Sequence, residues 1–148
     1  MRYVVDASVA IKWFFQSAPD EEDVDAAVTL LRTNRQGLAD FYQPPHFVAE
    51  VAAVLARKKP DEARADLGDL LEIEFRLVGD ATIHQTALDL ASRLDHHLFD
   101  TLYHAVALHT PGALLVTADR RYFTKAEPIG QILLLNNPLP TAREHRNA

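Results

Sequence analysis

Cysteine is absent from all 148 residues, which excludes disulfides, zinc–thiolate sites and cysteine nucleophiles and suits a reducing cytosol. Long apolar runs are missing too. No stretch approaches the ~20 residues of a membrane span, and the opening Met1-Arg2-Tyr3-Val4-Val5-Asp6 meets an acid after only a few apolar residues. The expectation is a soluble, unprocessed, cytoplasmic protein with no membrane partner. Basic charge is in deficit: 21 acids against 15 Lys and Arg leave a net charge of −6. That field repels nucleic acid unless metal ions or a local basic patch reverse it, and it counts against a simple DNA-binding module. Repeats and low-complexity segments are also lacking. What is present is a hydrophobic fraction of 48%, enough to core one domain and to set intrinsic disorder aside.

Strand and helix periods alternate along the chain. Residues 2–6 read as a buried strand ending in an acid, and residues 7–15 as a short helix capped by Asp6 or Ser8. After a break at Pro19, Val24, Ala27, Val28 and Leu31 fall at helical spacing, with acids from Asp20 to Asp23 near the helix start. Pro44-Pro45 opens a helix whose apolar stripe is Val48, Val51, Ala52 and Leu55. Pro60-Asp61 starts another that reaches about Leu71, and residues 75–78 read as a second strand. Asp80 caps a helix carrying Ile83, Ala87, Leu90, Ala91 and Leu94, and residues 99–109 form the next. Pro111-Gly112 turns the chain into residues 113–117, a strand apolar enough to be buried on both faces, and residues 132–135 form a last short strand. This alternation predicts an α/β protein, a three-layer α/β/α sandwich around a central, mainly parallel sheet. Residues 1–135 form the expected domain, and 136–148 a polar tail expected to fray.

Four carboxylates stand where a folded chain places apolar residues. Asp6 closes Tyr3-Val4-Val5, Glu50 interrupts the run from Phe47 to Leu55, Asp100 follows Leu98-Phe99, and Asp119 follows Leu114-Leu115-Val116-Thr117-Ala118. Buried acids are costly unless paired or bound to metal, and a divalent cation is the simplest shared explanation. Each acid has an ordinary alternative: helix capping for Asp6 and Asp100, a turn for Asp119. Glu50 resists one, because its neighbours on the helical wheel are Phe47, Ala53 and Val54 and its one local partner is His46. In open α/β sheets ligands collect at the carboxyl ends of strands, which is where Asp6 and Asp119 fall.

In order along the chain, four segments resemble one family. Val4-Val5-Asp6-Ala7-Ser8-Val9-Ala10 resembles the opening motif of PIN-domain ribonucleases, and Ile11-Lys12-Trp13-Phe14 resembles its continuation in the VapC toxins of prokaryotic toxin–antitoxin pairs. Pro44-Pro45-His46-Phe47-Val48-Ala49-Glu50-Val51 is similar to the second acidic motif, Phe99-Asp100-Thr101-Leu102-Tyr103-His104-Ala105-Val106-Ala107 to the third, and Leu115-Val116-Thr117-Ala118-Asp119-Arg120-Arg121-Tyr122 to the fourth. The resemblance implies a PIN-like fold and a metal-dependent endoribonuclease. Its catalytic and metal-binding acids would be Asp6, Glu50, Asp100 and Asp119, with Ser8 and Thr117 as hydroxyl auxiliaries. It also implies an RNA substrate, a cognate antitoxin and a homodimer, for which Trp13, Phe14 and Phe15 are candidate contacts.

The chemistry is coherent with the residues. Phosphodiester hydrolysis needs an in-line water, neutralised phosphoryl oxygens and a stabilised leaving oxygen, and one or two Mg²⁺ ions held by carboxylates supply these, with Mn²⁺ as the other candidate. Without metal, repulsion among the acids would raise some of their pKa values. Ser8 and Thr117 could serve the site, Thr117 by orienting Asp119, or could simply cap chain ends. Lys12 reads as a phosphate-steering or a solvated residue, Trp13 as packing rather than a base-stacking platform, and Arg57-Lys58-Lys59 as a solvated helix end. Arg120-Arg121 with Lys125 could offset the negative field where RNA enters. His96, His97 and His104 show no metalloprotease-like spacing, and His104 is placed to pair with Asp100. Competing readings are a metal-dependent phosphatase and a catalytically inactive PIN-like interaction module. A haloacid-dehalogenase-type phosphatase would want an Asp where Ser8 stands.

Overall fold

The structure, a computed structural model, describes residues 1–18 and 21–136; the break at Pro19, the acid at Asp20 and the tail from 137 to 148 lie outside them. The chain runs β1 (Arg2–Val5), α1 (Ala7–Ala10) prolonged by a 3₁₀ turn (Ile11–Phe14), α2 (Val24–Arg35), β2 (Asp40–Gln43), α3 (Phe47–Lys58), α4 (Ala63–Glu72) and β3 (Arg76–Leu77). It continues through α5 (Ala81–Leu94), α6 (Leu98–His109), β4 (Ala113–Thr117), α7 (Arg120–Ala126), a 3₁₀ turn (Glu127–Ile129) and β5 (Ile132–Leu134). The strands form a five-stranded sheet in the order β3-β2-β1-β4-β5, every pair parallel. The expected α/β sandwich with a central sheet is observed, parallel throughout the described residues.

Two elements were not legible in the pattern. β2 is only four residues long, with Phe41 and Gln43 buried, Asp40 exposed and Tyr42 partly buried, and with polar Asp40 and Gln43 at its ends it carries no apolar run. Residues 75–78 therefore contain the third strand in chain order, reduced to Arg76–Leu77. α7 has seven residues and follows directly from the Asp119 cap, too short for its period to show. The stretch 7–15 also divides, one α-turn passing into a 3₁₀ turn that ends at Phe14.

Packing settles several side chains. Trp13 is buried, stacks on Phe41 with ring centroids 6.1 Å apart, and donates its indole N–H to Ala27 O at 2.8 Å. It is a core residue and is not available as a dimer contact. Lys12 is neither solvated nor free to steer phosphate: it is buried and its Nζ pairs with Glu21 at 2.9 Å. Lys59 departs from the solvated helix end, since its Nζ donates to Phe14 O at 2.7 Å and pairs with Glu62 and Asp66 at 2.9 Å each. Gly79, leading into α5, lies so close to Pro45 that an added Cβ would overlap the proline ring. No helix among the described residues is long and apolar enough to cross a membrane.

The junction that matters for the site is between β1 and β2. Their backbone register covers Arg2 with Asp40 and Tyr3 with Phe41, and the ladder is then continued by a side chain. Gln43 is fully buried; its Oε1 accepts from Val5 N at 2.8 Å and its Nε2 donates to Val5 O at 2.7 Å. The carboxamide thus acts as a surrogate peptide group for the residue that precedes Asp6. Gln43→Leu would leave both Val5 groups buried and unpaired, so it is expected to destabilise the fold by about 3 kcal/mol, read from denaturant melts. Equal stability of the variant would contradict this role for the amide.

Candidate active site

The strand order creates the site. β2 and β3 extend the sheet on one side of β1, and the chain then returns to lay β4 and β5 on the other. The carboxyl ends of β1 and β4 flank the point where the winding reverses, which is where parallel α/β sheets open a crevice. Val5 pairs in register with Val116, and Asp6 N donates to Val116 O at 3.0 Å, so Asp6 emerges at this point beside Thr117 and Asp119. α6 delivers Asp100 from its first turn, and α3 delivers Glu50 from its own. Asp6, Asp100, Thr117 and Asp119 line one cleft with Leu115 and Tyr122. Glu50 joins them electrostatically, since its charge raises the pKa of both Asp6 and Asp100. A groove of about 750 Å³ beside Phe15, Lys59 and Asp66 contains none of the four acids.

Each acid is held differently. Asp6 caps α1 and takes three donors on Oδ2: Ser8 N at 3.3 Å, Thr117 Oγ1 at 3.2 Å and, in a short contact, Ser8 Oγ. Among the described residues this leaves Oδ1 for another partner. Ser8 Oγ also accepts from Ala118 N at 3.0 Å, and Thr117 Oγ1 accepts from Asp119 N at 3.1 Å. The two hydroxyls therefore cap chain ends and serve the acids at once; Thr117 reaches the carboxylate of Asp6 and only the backbone of Asp119. Asp119 caps α7 through Oδ1, which accepts from Tyr122 N at 3.1 Å.

Further side chains hold the acids; His46 was expected beside Glu50, whereas Tyr103 and Tyr122 carried no legible signal in the sequence. Tyr103, fully buried on α6, donates its hydroxyl to Glu50 Oε2 at 2.8 Å, and burial pushes its pKa far up, so it stays a donor. His46 Nε2 lies 3.2 Å from the same oxygen and 2.8 Å from Phe99 O, tying α3 to the start of α6. Glu50 is one-third exposed, at the rim of its helix's buried face rather than inside it. His96, not His104, pairs with Asp100, Nε2 to Oδ2 at 2.9 Å. The expected Asp100–His104 pair fails because His104 is fully buried and faces the other way. Its Nε2 lies 2.8 Å from Gly130 O and therefore carries the ring proton, and Tyr122 donates its hydroxyl to Nδ1 at 2.8 Å. Tyr122 in turn sets its ring edge against His96, centroids 4.8 Å apart.

The electrostatics explain what the cleft lacks by itself. Burial is the largest influence on Asp6; the Ser8 hydrogen bond works against it, Glu50 and Asp100 work with it, and the pKa is raised to about 7. Burial also raises Asp100 more than its bond to His96 lowers it, with Glu50 and Asp119 adding to the rise. Repulsion thus acts in the expected direction, but desolvation dominates. A cation relieves both, and the donor set fits one: carboxylate oxygens from β1, α6 and the β4–α7 junction in one cleft, with an oxygen of Asp6 left over.

The same shift has a consequence for stability. A carboxyl whose pKa is higher in the folded state binds more protons folded than unfolded between about pH 4 and 7, so stability falls as pH rises through that window. For Asp6 the effect is on the order of 4 kcal/mol between the extremes. His104, whose pKa burial lowers, works in the opposite sense below about pH 6.5, so the comparison is best made against Asp6→Asn, which lacks only the carboxyl contribution. In chelator, Asp6→Asn is expected to be more stable than the parent protein at pH 7.5 and to lose that advantage by pH 5. Parallel pH profiles of the two proteins would exclude the shift.

Comparison with known proteins gives the family. The family model of the PIN domain matches residues 3–127. No curated protein matches the chain. Among solved structures, VapBC2 from Rickettsia felis bound to a DNA fragment from its promoter aligns over 90% of this chain and 97% of its own, at 17% identity and a TM-score of 0.63. VapBC-1 from nontypeable Haemophilus influenzae aligns over 91% and 98%, at 17% identity and a TM-score of 0.63. VapC20 from Mycobacterium tuberculosis, described as a sarcin–ricin-loop-cleaving toxin, aligns over 82% and 94%, at 15% identity and a TM-score of 0.61. At these identities the likeness to the solved structures shows the fold.

Proposed function

The chain belongs to the PIN-domain family, and from that premise we propose that it is a divalent-metal-dependent endoribonuclease, a cytoplasmic toxin of the VapC kind neutralised by a cognate antitoxin. The observation that carries this reading is the convergence of Asp6, Asp100 and Asp119 on one cleft at the winding reversal, with Glu50 within electrostatic reach. The structural neighbours support the finer assignments: one is described as a sarcin–ricin-loop-cleaving toxin and two as VapBC. An inactive interaction module would have no need to hold four acids in this arrangement. The nuclease domain is residues 1–135, with 136–148 as its tail.

Mg²⁺ or Mn²⁺ bound at these carboxylates would neutralise charge on the phosphoryl oxygens. Asp6 offers Oδ1 while Ser8 and Thr117 fix its other oxygen, so its orientation is set before any substrate arrives. Tyr103 and His46 hold Glu50 in the same way. Arg120 and Arg121 follow Asp119 directly and are exposed, giving RNA a basic edge on an otherwise acidic chain. An antitoxin could exploit the same electrostatics by presenting a guanidinium or ammonium to the acids.

Asp6→Asn and Asp100→Asn keep shape and remove charge. Each is expected to lower metal-dependent cleavage of total RNA by at least about 100-fold while the protein stays folded. Near-normal activity in a folded variant would overturn the assignment. A homodimer is expected as well, through surfaces that exclude the buried Trp13. Light scattering at micromolar concentration should therefore report twice the 16.6 kDa chain mass, and a purely monomeric species would reject it.

A further inference from the structure

Two of the four acids have a histidine four residues upstream on the chain, His46 before Glu50 and His96 before Asp100. His96 is the more confined of the two histidines. Its side chain is 7% exposed, its Nε2 lies 2.9 Å from Asp100 Oδ2, and its ring meets the edge of Tyr122 at 88°. On the other side of the ring, Lys125 Nζ lies 3.4 Å from Nδ1 while donating to Asp95 O at 2.7 Å.

One ligand atom each from His96, Asp100 and Asp119 lie within 4.8 Å of one another, a nitrogen and two oxygens that could by themselves enclose a transition metal. Lys125 decides against that use of the histidine. An ammonium offers donors only, so the ring atom facing it must present a lone pair, and the ring proton therefore sits on Nε2, pointing at Asp100. Were Nε2 to release that proton to bind a cation, the remaining proton would have to occupy Nδ1, against the ammonium.

We propose that His96 is a positioning residue and not a metal ligand: Lys125 holds its proton on Nε2, and that N–H ties down Asp100 Oδ2 so the carboxylate meets the cation through Oδ1. The inference rests on the metal-binding reading above and sharpens it. With the imidazole occupied, the cation meets oxygen donors alone, which suits Mg²⁺ and Mn²⁺ and disfavours Zn²⁺. Tyr122, anchored by His104, serves as the wall that keeps the ring in this orientation.

The test uses the full chain and Mn²⁺ as probe. NMR of the imidazole nitrogens in metal-free protein should show His96 as the Nε2–H tautomer, and Lys125→Met should shift it toward a mixture. Mn²⁺ titrated by electron paramagnetic resonance should show no hyperfine coupling to a directly bound imidazole nitrogen. His96→Leu should weaken Mn²⁺ binding by about 10- to 100-fold, and His96→Gln, whose amide N–H can still donate, should restore most of it. A merely structural histidine would show neither the tautomer response nor the rescue. Coupling to a bound imidazole nitrogen, an Nδ1–H tautomer, or unchanged Mn²⁺ affinity in His96→Leu would overturn the positioning role alone. A parent protein that binds no Mn²⁺ would overturn the metal reading, and the positioning role with it.

Discussion

Burying the Asp6 carboxylate between the ends of two parallel strands is the constraint on which the rest of the arrangement turns. A carboxylate there is desolvated by the sheet and repelled by Glu50 and Asp100, and the three hydrogen bonds on Oδ2 do not offset this. The fold tolerates the position because backbone and hydroxyl donors are placed before the acid is. Val116 pairs its main chain, Gln43 pairs the residue before it, and Ser8 and Thr117 supply hydroxyls from the elements on either side. What remains is a site with surplus negative charge and one oriented oxygen, the physical condition for capturing a cation.

Around that centre the acids on helices are held by aromatic and imidazole donors instead. Tyr103 and His46 converge on Glu50, and His96 holds Asp100 with Tyr122 at its edge and His104 behind Tyr122. These groups are confined by packing, so they fix angles that a solvated lysine or arginine would leave free. Tyr103, whose pKa burial raises, adds no charge to the cleft. The negative potential that would attract metal is thereby kept, while the carboxylates lose rotational freedom. Among the basic residues, Lys12 is consumed by Glu21 and Lys59 by Glu62 and Asp66, Arg120 and Arg121 are exposed, and Lys125 faces the ring of His96 rather than an acid.

This division would reconcile an acidic chain with the proposed RNA substrate. A net charge of −6 repels RNA at long range, so recognition would have to come from a cation in the cleft and from the short basic edge at the start of α7. The same surplus of carboxylates would make the cleft an obvious target for a basic inhibitory group.

The four acids were legible because each interrupts or ends an apolar run, and a local pattern is all that such an anomaly requires. The alternation of periods was likewise enough for the α/β class and for most helices, since an apolar stripe three turns long outweighs local ambiguity. β2 escaped because only two of its four residues are buried and its last one, Gln43, is buried by bonding to Val5 rather than by being apolar. The partners escaped for a related reason. His96 and His104 both lie four positions from Asp100, and only His104 falls inside the helix read from residue 99, which pointed to the wrong partner. The choice belongs to α7 and the turn before β5, which bring Tyr122 and Gly130 to His104 and leave His96 facing the acid. The sequence by itself determined which acids interrupt or end its apolar runs. Only the tertiary structure, through the winding reversal beside β1 and the contacts it forces, decided which of them meet and which side chain holds each in place, because those distances join residues up to 111 positions apart.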